Sequence, residues 1–233
     1  MPIEIFDSGD DLALAVSRQL AARVQSVKQA GRTPTIVLTG GSIAAKIYGR
    51  LSGENADWKS VHYWWGDERF VPEGHEDRND RQAREGFLDR LGVPDDHIHA
   101  MPAHGCDLSM AEAADAYAET LPDESFDVVL LGVGPDAHIA SLFPGHPQVH
   151  EQERLAVEVF DSPKPPPQRI TLTYPALNDT RATWFVVAGA DKAEAVAKAL
   201  GGAPIDEAPA AGARGLEETV WFLDAAAASQ LPR

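Results

Sequence analysis

The sequence predicts an α/β fold, with a mainly parallel central sheet flanked by helices. Two observations carry this. Short apolar runs rich in β-branched residues alternate with longer amphipathic stretches along the whole chain. One run, FDVVLLGVG (126–134), is apolar without alternation, the pattern of a strand covered on both faces.

The elements follow in order. IEIF (3–6) predicts a strand. Over 8–30, Leu12, Val16, Leu20, Val24 and Val27 recur at spacings of four, four, four and three, which is one helical face. Ser8 is placed to cap this helix, Asp10 and Asp11 suit its first turn, and Gly31 stops it. TIVLTG (35–40) reads as a strand running into a glycine turn and a helix to about Leu51. VHYWWGD (61–67) is the next strand, 80–91 a helix, IHAM (98–101) a short extended piece and 109–121 a helix. LAVEVF (155–160) and RITLTY (169–174) predict strands around the linker DSPKPPPQ, continuing the same strand–helix grammar. ATWFVVAG (182–189) is another buried strand, 191–200 a helix, and TVWFLD (219–224) the last strand. The Gly/Ala/Pro-rich 201–215 predicts a surface loop. No repeat or domain boundary emerges, so residues 1–233 read as one domain.

Composition narrows the function classes. Twenty Lys and Arg stand against 36 Asp and Glu, a net charge of −16. That balance argues against sustained binding to nucleic acid or an anionic membrane, both of which need clustered cations. With 44% apolar and 24% charged residues, the chain is not of the disordered class. Cys106 is the one cysteine, so no intrachain disulfide and no CxxC metal knuckle is possible. The N-terminus MPIEIFDSGDD has neither the basic nor the apolar region of a signal peptide. No apolar run approaches the ~20 residues a bilayer span requires. A cytoplasmic chain, monomeric or a small homo-oligomer, is the expectation.

Charge is unevenly spread. No Lys or Arg occurs from Leu91 to Glu153, where six of the eight histidines fall. Cations gather instead at Arg69, Arg78, Arg81 and Arg84, and at Lys164, Arg169 and Lys192. An acidic protein must meet an anionic ligand with such a local cluster.

Three segments fall where open parallel sheets bind ligands, beyond the carboxyl ends of strands. In Thr39-Gly40-Gly41-Ser42, paired glycines turn the backbone so that amides at a helix start can face an anion. The bland alternative is a tight turn capped by Ser42, and no GK[ST] follows to make a Walker loop. Gly66-Asp67-Glu68-Arg69 sets a carboxylate beside a guanidinium able to bind an anion bidentately, or else simply makes a salt-bridged strand end. Gly132 to Pro144 has a GxGxxA shape, but Pro144 and Gly145 interrupt the helix a dinucleotide site needs. Within it, Asp136 stands two residues before His138, where a carboxylate can support an imidazole acting as a base.

Other constellations carry less. No GxSxG nucleophile elbow occurs, so Ser42 and Ser141 read as caps or hydrogen-bond donors. His97 and His99 would share a strand face and His146 and His150 stand four apart, but Pro147 and the loop composition weaken a zinc pair, and no metal site is expected. Trp64, Trp65, Trp184 and Trp221 sit in strand runs and read as core.

Taken together, GGS (40–42), WWGDERFVP (64–72) with Asn79 after it, and LLGVGPDAHIASLFPG (130–145) resemble the 6-phosphogluconolactonase family. SPKPPPQRITLTYPALN (162–178), GADKAEAV (189–196) and WFLDAAAA (221–228) extend the resemblance over nearly the whole chain. It implies a modified Rossmann-like sheet of the group that includes glucosamine-6-phosphate deaminase and ribose-5-phosphate isomerase. It also implies cofactor-free hydrolysis of 6-phospho-D-glucono-1,5-lactone. By resemblance and chemistry His138 is the general base, with Asp136 or Asp67 orienting it or holding substrate hydroxyls. Arg69 is the expected substrate or charge-stabilising cation. Gly40, Gly41, Ser42, Asn79, Lys164, Arg169 and Lys192 are the expected substrate and phosphate contacts.

Three departures from the family pattern stand out. Ala137 replaces the usual Gly, at a cost of about 1 kcal/mol if the position needs positive φ. Ile43-Ala44 replace Thr-Pro, and Arg78 replaces Ser, adding charge near the expected substrate entrance. Two rivals remain: a deaminase-like isomerase, which would carry a catalytic Glu just before the proline that is Pro144 here, and a non-enzymatic sugar-phosphate sensor. The sensor would want a basic DNA-binding extension.

Overall fold

The computed structural model describes residues 1–232. Six strands form one parallel sheet in the order β1-β9-β8-β5-β2-β3: β1 (Ile3–Phe6), β2 (Thr35–Leu38), β3 (His62–Trp65), β5 (Val128–Leu131), β8 (Ala182–Val187) and β9 (Glu218–Asp224). The predicted α/β class therefore holds. Side chains alternate across this sheet as the strand period requires. Val37, Trp64, Val129, Leu131, Phe185 and Trp221 face one buried cluster, and Ile36, Tyr63, Trp65, Val128, Trp184 and Phe222 face the other. All six residues of β8 are buried, which is why that run is apolar throughout.

The second cluster is closed by α1 (Gly9–Gln29) and α2 (Ser42–Tyr48). Helix α1 buries Leu12, Val16, Leu20, Val24 and Val27, the predicted face. Ser8 Oγ accepts the Asp11 amide at 3.2 Å, a cap that contributes about 1 kcal/mol. Next come α3 (Asn79–Ala83), a π turn (Arg84–Leu88) and α4 (Asp89–Leu91), so the predicted 80–91 helix is present but locally widened. Helices α5 (Met110–Ala118) and α7 (Ala193–Leu200) pack residues into the first cluster, and α6 (Tyr174–Leu177) is a short turn after the second sheet.

That second sheet corrects the sequence reading. VHYWWGD is not one strand: the chain breaks at Gly66, and β4 (Asp67–Arg69) enters a separate antiparallel sheet in the order β4-β7-β6. Strands β6 (Ala156–Val159) and β7 (Arg169–Leu172) form its other members, so the two segments flanking the Pro-rich linker pair with each other, not with the parallel sheet. Gly66 is the pivot. Its N–H donates to the Leu38 carbonyl in the large sheet, and its own carbonyl accepts the Leu172 amide in the small one.

The 201–215 segment is not a plain surface loop either. Ala208, Ala210 and Ala213 are buried against the first cluster. No helix among the described residues is long and apolar enough to cross a membrane.

Candidate active site

Both sheets end on a cleft of about 230 Å³ at the carboxyl ends of β2 and β5. Nine of the residues singled out in the sequence line it: Gly40, Gly41, Asp67, Arg69, Asn79, His138, Lys164, Arg169 and Lys192. Thr39, Gly132, Val133, Gly134, Ala140 and Pro165 complete it.

The turn after β5 builds the imidazole side. The Gly134 amide donates to the His138 carbonyl at 2.9 Å, and the Ala137 amide donates to the Gly134 carbonyl at 2.9 Å. This tight turn puts Ala137 at φ +67°, so the position does take the left-handed conformation on which the cost of alanine in place of glycine depends. The missed 201–215 segment braces it, because the Ala210 amide donates to the Ala137 carbonyl at 3.0 Å. His138 Nδ1 and Asp136 Oδ1 lie 2.5 Å apart. With Nδ1–H donating to the carboxylate, Nε2 keeps the free lone pair. Burial raises the Asp136 pKa, but the hydrogen bond and charge of His138 outweigh it and bring the carboxyl to about 2. Asp136 thus stands behind the imidazole and outside the cleft lining, and it is the carboxylate that touches His138.

Gly134 is the residue sequence reasoning passed over. A Cβ there would lie 2.0 Å from His138 Nδ1 and 2.4 Å from Asp136 Oδ1. The pair is folded over a bare Cα. Gly40 does the same for Asn79, whose Oδ1 would sit 1.9 Å from an added Cβ.

Asp67 has a different role from Asp136. Its Oδ2 accepts Ser141 Oγ at 2.6 Å and lies 3.6 Å from Arg169 Nη1. Asn79 Nδ2 donates to the Asp67 carbonyl at 2.9 Å, and Asn79 Oδ1 accepts Arg69 Nη1 at 2.9 Å. Ser141, buried, is therefore the hydrogen-bond donor it was read as.

The antiparallel register sets Arg69 directly opposite Arg169. Like charges facing across a strand pair are unfavourable on their own account. Arg169 is buried, with Nε donating to the Pro166 carbonyl and Nη2 to the Lys164 carbonyl, which anchors the Pro-rich loop. Burial lowers its pKa, Asp67 opposes that, and Arg69 adds to it. Lys164 is lowered first by burial and further by Lys192 and Arg169, against the pull of Asp136. Cations held together in this way make a place for an anion.

Three sequence expectations fail here. Ser42 does not line the cleft; Gly41, at φ +101°, takes the N-cap position and Ser42 opens α2. The Gly41 amide is already bound to Gln82 Oε1 at 3.0 Å, so the turn is not a free pair of donors. Arg78 adds no charge at the entrance: it is buried and paired with Asp80. Histidines 97 and 99 stack with His62 at the edge of β3, and among the described residues no group of three or more His, Cys, Asp or Glu is arranged to hold a metal ion.

The fold and cleft define a class: an α/β protein whose strand-end cleft pairs a carboxylate-backed imidazole with clustered cations suited to an anionic ligand. Comparison with known proteins agrees. The model of the family described as glucosamine-6-phosphate isomerases/6-phosphogluconolactonase matches residues 7–221, and the chain belongs to that family. A 6-phosphogluconolactonase of Streptomyces coelicolor is 47% identical over 95% of this chain and 91% of its own length. One from Mycobacterium leprae is 45% identical over 99% of this chain and 98% of its own. The crystal structure of a Thermotoga maritima 6-phosphogluconolactonase superposes with a TM-score of 0.85 at 26% identity, covering 96% of this chain and 99% of that one.

Proposed function

We propose that the chain hydrolyses 6-phospho-D-glucono-1,5-lactone to 6-phospho-D-gluconate, the lactonase step of the oxidative pentose phosphate pathway. The observation that carries this is the His138–Asp136 pair, facing a cluster of cations across one cleft in a chain of this family. His138 Nε2 takes a proton from water as the water oxygen attacks C1, giving a tetrahedral oxyanion with Asp136 stabilising the imidazolium. Collapse breaks the C1–ring-oxygen bond, the imidazolium returns its proton to that oxygen, and the released acid ionises. Arg69, held by Asn79, binds the substrate or the developing charge. Lys164 and Lys192, backed by Arg169, take the 6-phosphate.

Position 143 speaks against the deaminase rival. Where that chemistry would need Glu before the proline, Phe143 is buried with its ring 4.7 Å from that of His138. The net charge of −16 speaks against a DNA-bound sensor. The reading carries with it a cytoplasmic address and a single domain, as a monomer or small homo-oligomer.

The test is a coupled assay on freshly generated 6-phosphogluconolactone, measured against its spontaneous hydrolysis, with unphosphorylated gluconolactone as control. Acceleration confined to the phosphorylated lactone is expected. Equal rates on both would overturn the phosphate site, and no acceleration on either would overturn the reaction.

A further inference from the structure

Beside the cleft lies a group of buried charges that the proposed chemistry does not use. Glu68 is 1% exposed and Arg78 2%. Glu68 Oε1 accepts the backbone amides of Arg69 and Asn79, each at 2.8 Å, and Oε2 accepts that of Asp80 at 2.9 Å. Arg78 Nε donates to Asp80 Oδ1 at 2.7 Å and lies 3.9 Å from Glu68 Oε2, while its Nη2 donates to the Met101 carbonyl at 2.7 Å. Two of the three amides gathered by Glu68 belong to cleft residues. A continuous set of contacts thus runs from Arg78 through Glu68 to the Asn79 backbone, and from the Asn79 side chain to the Arg69 guanidinium.

We propose that Arg78 and Glu68 form a positioning pair that sets the placement of Asn79, and through it of the Arg69 guanidinium, in the cleft. The pair touches no reacting atom. Its kinetic consequence rests on the lactonase reading; its structural consequence does not.

The arrangement favours the ionised acid. Three N–H donors aimed at one carboxyl need two oxygens that only accept, whereas a protonated carboxyl turns one of them into a donor. Burial pushes the Glu68 carboxyl up to about 7, with Arg78 and the Asn79 and Asp80 amides pulling it down. The other charged or titratable groups near Glu68 are Asp80 at the start of α3, Arg169 on β7 and Tyr117 on α5, with Asp67 and Arg69 its chain neighbours on β4. Without Arg78, Glu68 and Asp80 lose the cation between them. Glu68 then takes up a proton at higher pH and releases an amide.

The experiment follows the Glu68 carboxyl carbon and the Asn79 side-chain amide by NMR from about pH 5 to 9, in the full-length protein and in Arg78→Met, Arg78→Lys and Glu68→Gln. The Asn79 signal should titrate on the Glu68 curve. In Arg78→Met both midpoints should rise by about one unit or more, and Arg78→Lys should bring them back toward wild type. Glu68→Gln should leave the Asn79 signal insensitive to pH. At neutral pH, Arg78→Met should raise KM for the phosphorylated lactone about tenfold, with a smaller change in kcat. An Asn79 signal that ignores the Glu68 titration overturns the proposal, as does an Arg78→Met variant with lowered Tm and unchanged KM at every pH. Should Arg78→Met not fold, Glu68→Gln reads the same coupling. A wild type inactive on the lactone refutes the lactonase reading, and the spectra still decide the pair.

Discussion

Replacing Gly134 with alanine separates the proposed catalytic role of the His138–Asp136 pair from the stability of the fold. Gly134 does not occupy the left-handed region, so a side chain there meets no left-handed backbone penalty. The added Cβ, however, would lie 2.0 Å from His138 Nδ1, 2.1 Å from its Cε1 and 2.4 Å from Asp136 Oδ1. Carbon normally approaches such atoms no closer than about 3.4 Å, so the ring must move by more than about 1 Å or rotate away from the carboxylate. Displacement on that scale costs on the order of 10²-fold in rate. Stability should change far less. Losing one partly exposed charge-assisted hydrogen bond costs about 1–2 kcal/mol, and restricting the unfolded chain returns about 0.4–1 kcal/mol. The expected signature is kcat on 6-phosphogluconolactone reduced about a hundredfold with Tm lowered by no more than about 6 °C. A Gly134→Ala enzyme retaining kcat within about threefold of wild type would refute the assignment of the His138–Asp136 geometry to the chemistry.

Three further outcomes test the same site. His138→Ala should lower kcat by about 10²–10⁴-fold while circular dichroism stays unchanged, and normal turnover would remove His138 as the base. Ala137→Gly relieves φ +67°, worth about 1 kcal/mol, but gives up a buried methyl worth about 0.8 and adds about 0.4–1 of unfolded-chain entropy. Its Tm should therefore hold or fall slightly, and a clear rise would mean that the turn is more strained than its dihedral implies. Asp136, brought down to about 2 from 3.8, stabilises the fold above its ordinary pKa and loses that contribution as pH falls from about 4 toward 2. Solvent screening at a side chain that is 36% exposed keeps the effect small. Asp136→Asn should accordingly show a slightly shallower loss of Tm below about pH 4, and parallel melting curves would argue that the pair contributes nothing in solution.

What was legible in the sequence follows from what is local. Helix α1 could be placed because its apolar face, Ser8 cap and Gly31 stop are all written within about two dozen neighbouring residues. Strands β5 and β8 of the large sheet were legible because burial on both faces leaves unbroken apolar runs. Strand β4 was not, since three residues, Asp67, Glu68 and Arg69, carry no hydrophobic period and pair with a segment a hundred residues away. The site was readable as residue types beyond strand ends, and nine of its members line one cleft. The division of labour between Asp136 and Asp67 was not readable, because it depends on which carboxylate the turn at Gly134 carries to His138. Arg78 was misplaced for the converse reason: a lone arginine in sequence looks solvated, and only the fold supplies the buried Glu68 and Asp80 that hold it.

The small antiparallel sheet supplies three of the four cations that line the cleft of so acidic a chain, Arg69, Lys164 and Arg169, while Lys192 comes from the turn after β8. A single parallel sheet would deliver the glycine turn after β2 and the His138 turn after β5, but no basic residue at the end of either strand. Breaking the chain at Gly66 lets Asp67 and Arg69 leave the large sheet and pair with β7, which sets Arg169 opposite Arg69 and hangs the Lys164 loop from the Arg169 guanidinium. This arrangement is unfavourable by itself, since a cross-strand pair of like charges and a lysine among cations are held against their mutual repulsion. Asp67 offsets part of it from within. An anionic substrate would relieve the remainder, so affinity for the 6-phosphate should weaken as salt rises, whereas the His138–Asp136 hydrogen bond, in direct contact, should be little affected.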